Sequence, residues 1–244
     1  MEIDSLPDET SQNDSVIKPL EIYENLKSIN FNDISFAYDR DVILDNTSLK
    51  INKGDFIAIM GISGIGKSTL LKLLLGVFKV DGGNIELELE NEKIEVDNKT
   101  RKMFSYVPQG NFLLSGTIKE NLTFINTQAS DEEIEEAIRI SCSDSFINEL
   151  PDGLETVIGE RGIGLSEGQL QRLAIARSLL SKAPVVLLDE ATSALDEETE
   201  KRFLTNLKTL NNKTCIIVSH KKAALEICNK YVQIIDSKIV VEEN

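Results

Sequence analysis

The stretch "FIAIMGISGIGKSTLLKLLLG", Phe56 to Gly76, decides the fold. Its first five residues are apolar and of strand length, and the leucine-rich segment beyond Lys67 ends in a glycine. That is the pattern of a buried strand running into a helix closed by Gly76. Between the two, Gly61-Ile62-Ser63-Gly64-Ile65-Gly66-Lys67-Ser68 satisfies G-x-x-x-x-G-K-[ST]. Glycines let the backbone curl until successive N–H groups point inward and make a nest for phosphate oxygens. The helix start adds its own unpaired N–H groups and the positive end of its dipole. Lys67 places a full positive charge between β- and γ-phosphates, and the Ser68 hydroxyl is a ligand for Mg²⁺. A glycine-rich turn with a chance lysine is the plainer alternative, and the strand before and the helix after weigh against it. The expectation is a loop, Gly61 to Thr69, that holds a nucleoside triphosphate.

Such a site needs a second buried strand ending in acid, and "VVLLDE" supplies one. Asp189 is expected to hold Mg²⁺, directly or through water. Glu190 stands where a base would polarise a water attacking the γ-phosphate.

The remaining segments alternate between strand and helix patterns. "INFNDISFAYD" alternates imperfectly at Ile29, Phe31, Ile34 and Phe36, as a strand with a bulge does, and "TSLKINKGD" gives a second strand turning at Lys53-Gly54. Ile85, Leu87 and Leu89 mark a half-buried antiparallel strand, and "KMFSYVPQ" another short one. The middle is helical. Ile134, Ala137 and Ile138 fall at helical spacing behind Ser130 or Asp131 as N-cap, and "SEGQLQRLAIARSLL" opens on a capping serine with Leu170, Leu173 and Ala174 on one face. "EETEKRFLTNLKTL" turns Phe203, Leu204 and Leu207 inward, "TCIIVSH" is a further buried strand, and "YVQIIDSKIVV" is a hairpin turning at Asp236-Ser237. Residues 1 to about 25 are polar, punctuated by proline and aperiodic until near their end, and read as a linker or tail. Buried strands alternating with helices argue for an α/β core with a parallel sheet, and the alternating early and late strands for an antiparallel piece beside it.

The 244 residues, 41% hydrophobic and 27% charged, suffice for a substantial core. A formal net charge of −15 speaks against a nucleic-acid partner. Much of the acid lies in Asn84–Asp97 and Ser130–Ile140, read as solvated faces of a strand pair and a helix. Three cysteines without CxxC spacing and a single histidine do not make a zinc site; Cys215 is read as a small core residue, and the set fits a reducing compartment. No apolar run approaches the ~18–20 residues of a membrane span. The acidic N-terminus lacks a signal-peptide pattern, so the chain by itself is expected to be soluble.

"GLSEGQLQRLAIARSLL" followed by "VVLLDEATSALD" resembles the nucleotide-binding domain of ATP-binding cassette (ABC) transporters, and the motifs from about residue 29 onward follow in the order of that family. The resemblance implies a P-loop NTPase core with a mixed, largely parallel sheet, an N-terminal antiparallel β subdomain and an inserted helical subdomain at about 112–180. Residues 1–28 would be a linker from a membrane domain. Leu165–Gln169 is similar to the signature loop and Ser193–Asp196 to the D-loop. Gln109 resembles the Q-loop glutamine, His220 the switch histidine, and Tyr38 the aromatic that stacks on adenine. A lone histidine after a core strand is ordinarily structural; its place beyond Asp189 gives it the switch role under the resemblance.

In the family two such domains pair head to tail around two ATP molecules. The resemblance therefore implies that Ser166, Gly168 and Gln169 face a nucleotide held by the partner, and that Asp196 links the two sites. Lys67, Gln109, Glu190 and His220 would carry catalysis, with Ser68, Gln109 and Asp189 around Mg²⁺. The implied partners are a second nucleotide-binding domain, identical or related, and a transmembrane domain that places the chain at the cytoplasmic face of a membrane.

Two positions depart from the pattern. Glu167 replaces the first glycine of the usual "LSGGQ"; its carboxylate either weakens γ-phosphate docking or points away, while Ser166 and Gly168 remain. Ile65 occupies a position that is commonly small and polar, though its backbone N–H is what the loop needs. "MEIDSLPDE", "NFLLSGTIKENLTF" and "GERG" (Gly159–Gly162) resemble exporter sequences. An importer ATPase and a soluble, non-transport ABC ATPase are the rivals. A small-molecule kinase would share the glycine loop without needing "LSEGQ" or the D-loop.

Overall fold

The computed structural model describes residues 18–110, 113–159, 164–210 and 212–243. Helix α1 (Pro19–Asn25) precedes the strands β1 (Leu26–Tyr38), β2 (Asp41–Asn52) and β3 (Phe56–Met60), and helix α2 (Lys67–Leu74). Strands β4 (Gly82–Leu89), β5 (Lys93–Glu95), β6 (Phe104–Val107) and β7 (Gly116–Thr117) follow. A helical stretch then comprises α3 (Ile118–Thr123), α4 (Asp131–Ile140), α5 (Asp144–Ile147), the short strand β8 (Val157–Ile158) and α6 (Glu167–Leu180). The chain closes with β9 (Val185–Asp189), α7 (Glu197–Lys208), β10 (Thr214–Val218), α8 (Lys222–Ile227), β11 (Lys230–Ile235) and β12 (Lys238–Glu243).

Two main sheets result. An antiparallel sheet runs β2-β1-β4-β5, and a mixed sheet runs β12-β11-β3-β10-β9-β6 with only β12 antiparallel to its neighbour. The bulge expected in β1 lies where its register against β2 shifts, between Phe31 and Ile34, with Asp33 at φ 48°. The C-terminal ends of the parallel strands β3, β6, β9 and β10 open on one edge, where open α/β sheets hold ligands.

The space between the two sheets is filled by α2, whose Leu70, Leu71, Leu73 and Leu74 join Phe31, Ile51, Ile57 and Ile216. Its C-terminus is closed as expected: Gly76 N–H donates to the Leu73 carbonyl and Val77 N–H to that of Lys72. On the opposite face α7 seats Phe203, Leu204 and Leu207 against Leu188 and Ile217. The helical stretch has its own core around Ile118, Leu122, Ile134, Phe146 and Leu173. Ser130, and not Asp131, caps α4 through a capping box with Glu133. The three cysteines are buried and form no disulfide; burial pushes the Cys215 thiol up.

Two expectations change. Pro19–Asn25, the end of the stretch read as a linker or tail, is a helix, because buried Tyr23 reaches a hydroxyl partner in Thr214, 3.0 Å away. Glu86, inside the stretch read as a solvated face, is buried and paired with Lys93 at 2.6 Å. Among the described residues no helix is long and apolar enough to cross a membrane.

Candidate functional site

Strand β3 delivers the chain to Gly61, and the loop ends at Gly66, whose φ of 110° suits glycine alone. The next residue, Lys67, opens α2. It is buried, and its Nζ donates to the carbonyls of Gly61 (2.8 Å) and Ile62 (2.9 Å). An ammonium has three donors, so these two bonds leave one N–H for a phosphate oxygen, and neither carbonyl neutralises its charge. Ile65 packs against the core. Its N–H, expected to serve phosphate, closes a 3.4 Å turn onto the Ile62 carbonyl. Ile62 and Ser63 are exposed.

Tyr38, at the end of β1, stands edge-on to Phe36 (4.9 Å between centroids) and Phe78 (5.4 Å). Its hydroxyl lies 3.4 Å from Oγ1 of Thr69, so the ring is tied to the first turn of α2. Base stacking on such a ring is worth about 1–3 kcal/mol.

Asp189 ends β9 and is buried. The Ser68 hydroxyl donates to its Oδ1 (2.9 Å), and the Tyr106 hydroxyl, from the neighbouring strand β6, donates to its Oδ2 (2.9 Å). Burial and then the charge of Asp189 push the Tyr106 hydroxyl's pKa up, so it remains a donor.

Glu190 adopts φ 51° and donates its N–H to the Val218 carbonyl, joining the ends of β9 and β10. A non-glycine residue in this conformation costs about 1–3 kcal/mol. Gln109 donates from Nε2 to Glu190 Oε2 (2.8 Å), and His220 Nε2 lies 3.5 Å from Glu190 Oε1. Three residues far apart in the sequence thus meet at one carboxylate.

Ser166, Gly168, Gln169 and Asp196 form a separate group. Ser166 and Gln169 make a reciprocal capping box at the N-terminus of α6 (3.3 and 2.8 Å). Asp196 caps α7, accepting from the Thr199 N–H (2.9 Å) and hydroxyl (2.7 Å), which hold its carboxyl below the usual range. A Cβ on Gly168 would lie 2.8 Å from the Ala194 carbonyl oxygen, so segment 165–169 sits directly on the backbone of segment 193–196. Gln171 fastens the same contact, donating to Ser193 Oγ (2.9 Å) and accepting from the Ala194 N–H (3.0 Å). Among the described residues, the hydrogen bonds of this group stay within α6, α7 and segment 192–196 and do not reach loop 61–69. Glu167 is exposed.

Sequence reasoning missed Tyr106 and Gln171. Each acts across strands or helices on a distant partner, and no spacing in the sequence marks such a contact. Of the exporter-like segments, residues 1–9, Asn111, Phe112 and Glu160–Gly162 lie outside the described residues, while Leu114 and Phe124 are exposed.

A profile of the family described as "ABC transporter" matches residues 44–193. A provisionally named export ATP-binding/permease protein of Rickettsia felis is 43% identical over 213 residues, 86% of this chain and 37% of that protein. The ATP-dependent lipid A-core flippase of Desulfotalea psychrophila is 37% identical over 217 residues, 88% of this chain and 38% of that protein. The structure of a bacterial Atm1-family ABC exporter with ATP bound superposes with TM-score 0.80 at 34% identity, over 88% of this chain and 38% of that one. The chain thus spans less than two fifths of the length of these relatives.

Proposed function

This chain belongs to the ABC transporter family, and on that premise we propose that it binds and hydrolyses ATP as the nucleotide-binding unit of an exporter. The observation that carries the reading is the meeting of Gln109, Glu190 and His220 at the strand ends, next to Asp189, which the Ser68 hydroxyl ties to the start of α2. Exporter names and titles among the similar proteins favour export over import.

In this reading the loop N–H groups and Lys67 hold the β- and γ-phosphates, and Tyr38 stacks on the base. The Ser68 hydroxyl and Asp189 carboxylate, in contact at 2.9 Å, are oxygen donors of the kind Mg²⁺ takes when phosphates and water supply its other ligands. Ser68 and Asp189 would hold Mg²⁺, with Gln109 as a further candidate ligand, and the ion would supply positive charge to the phosphates. Glu190 accepts a proton from the attacking water as its oxygen bonds to the γ-phosphorus and the bridge to ADP breaks. Gln109 and His220 orient that carboxylate and the γ-phosphate. Ser166 and Gly168, whose hydrogen bonds do not reach loop 61–69 among the described residues, serve the nucleotide of a second domain, so two domains are needed for each turnover. A transmembrane domain couples the cycle to export and holds the chain at the cytoplasmic membrane face.

Phosphate release by the purified chain tests this reading. It is expected to require Mg²⁺ and, in dilute solution, to rise faster than linearly with chain concentration; strict proportionality contradicts the paired site. Tyr106→Phe removes the donor to Asp189 Oδ2. It is expected to raise the Mg²⁺ concentration for half-maximal ATP binding by about 10-fold, the loss typical of a residue supporting a metal ligand. An unchanged Mg²⁺ requirement contradicts that role.

A further inference from the structure

Lys221 follows the switch histidine, His220, directly in the sequence. Its Nζ donates to two carbonyls of the neighbouring loop, Thr192 (2.8 Å) and Leu195 (2.7 Å), and lies 3.4 Å from Glu200 Oε2. The Glu200 side chain is 1% exposed, and its other oxygen accepts the Thr192 hydroxyl proton at 2.6 Å. A carboxylate so buried requires a cation. Lys221 supplies it, and the same ammonium gathers both ends of segment 192–195. That segment is continuous with the turn of Glu190, whose carbonyl accepts the Ser193 N–H at 3.1 Å. On the other side the Lys221 N–H is anchored to Ser219 Oγ (3.1 Å). One side chain therefore braces the loop that carries Glu190 against the segment that carries His220.

We propose that Lys221, with Glu200 as its buried counter-ion, is a positioning residue that sets the separation of Glu190 and His220 by clamping the Thr192 and Leu195 carbonyls. The proposal rests on the reading of Glu190 as the base. Among the described residues the hydrogen bonds and ion pair of the clamp reach neither loop 61–69 nor Tyr38, so it governs turnover and not nucleotide capture. Two separable losses follow on its removal. A buried carboxylate loses its cation, which lowers stability, and the loop loses its tether, which lowers the rate.

The test compares the wild-type chain, Lys221→Met and Lys221→Met/Glu200→Gln. Lys221→Met is expected to lower the melting temperature by about 5 °C, since it strands a buried charge. It lowers kcat by about 10-fold or more, in line with the sensitivity of catalysis to small misplacements, while KM for ATP stays within about 2-fold. In the double variant the amide restores neutrality and keeps the Thr192 bond, so the melting temperature returns towards wild type while kcat stays low. Hydrogen exchange of residues 190–196 is faster in both variants than in wild type, with protection of α2 unchanged. Recovery of kcat together with the melting temperature overturns the proposal, because the residue would then matter only for charge balance. Wild-type exchange at residues 190–196 in the variants overturns it equally. A wild-type chain that releases no phosphate overturns the reading of Glu190 and this role with it, whereas wild-type turnover with an unimpaired double variant overturns the role of Lys221 alone.

Discussion

Glu190→Gln is expected to lower the rate of phosphate release by about 10²–10⁴-fold while ATP remains bound. The amide is nearly isosteric and still offers an oxygen to Gln109, so the junction of β6, β9 and β10 is kept. What it cannot do is take the proton of the attacking water. Single-turnover phosphate release measured beside retained radiolabelled ATP separates the two effects. Equal rates for variant and wild type contradict the assignment of Glu190 as the base. Simultaneous loss of bound ATP would place its role in holding nucleotide.

Lys67→Met is expected to weaken ATP binding by about 10²-fold, equivalent to about 2.7 kcal/mol. The methionine fills the space of the lysine stem, so α2 and its leucines stay in place, but the one full positive charge of the loop is gone. The carbonyls of Gly61 and Ile62, which now receive the Nζ donors at 2.8 and 2.9 Å, lose them as well. Equilibrium binding of a fluorescent ATP analogue provides the check, with the melting temperature as control. Because the lost interaction is with phosphate, AMP should be affected far less than ATP. Equal weakening for both would point to damage of the loop as a whole.

The parts of this architecture legible in the sequence are those written in local chemistry. The apolar run Phe56–Met60, the glycine loop and the leucines of α2 announce strand, nest and helix through residue type alone. Asp189 and Glu190 are legible because a fully apolar strand ending in two acids has few other uses, and the turn at Asp236-Ser237 because both residues tolerate positive φ, observed at 47° and 61°. The serine caps of α4 and α6 are equally local. Helix α1 is not legible: seven residues give too little periodicity, and what holds it is Tyr23 meeting Thr214 from the far end of the chain. The pairing of Tyr106 with Asp189 depends on β6 lying beside β9, an adjacency set by sheet order and invisible in either segment.

The signature group shows the same limit. Ser166, Gly168, Gln169 and Asp196 are recognisable as motif residues, yet each has a duty within the single chain, as caps of α6 and α7 or as the bare backbone on which Ala194 rests. Their service to a second nucleotide is read from resemblance, since it needs a second chain. The cores, by contrast, are well anticipated by helical spacing: Phe203, Leu204 and Leu207 are all fully buried, as amphipathic periodicity requires.

The central claim is that the backbone from Gly61 to Thr69, with Lys67, grips a triphosphate at the end of β3. The most direct measurement is a crystal structure of the Glu190→Gln chain grown with ATP and Mg²⁺. The account predicts β- and γ-phosphate density within hydrogen-bonding distance of the loop amides and Lys67 Nζ, with the Ser68 hydroxyl on the metal and adenine over the ring of Tyr38. Nucleotide bound elsewhere, with Lys67 still held only by the carbonyls of Gly61 and Ile62, would contradict it.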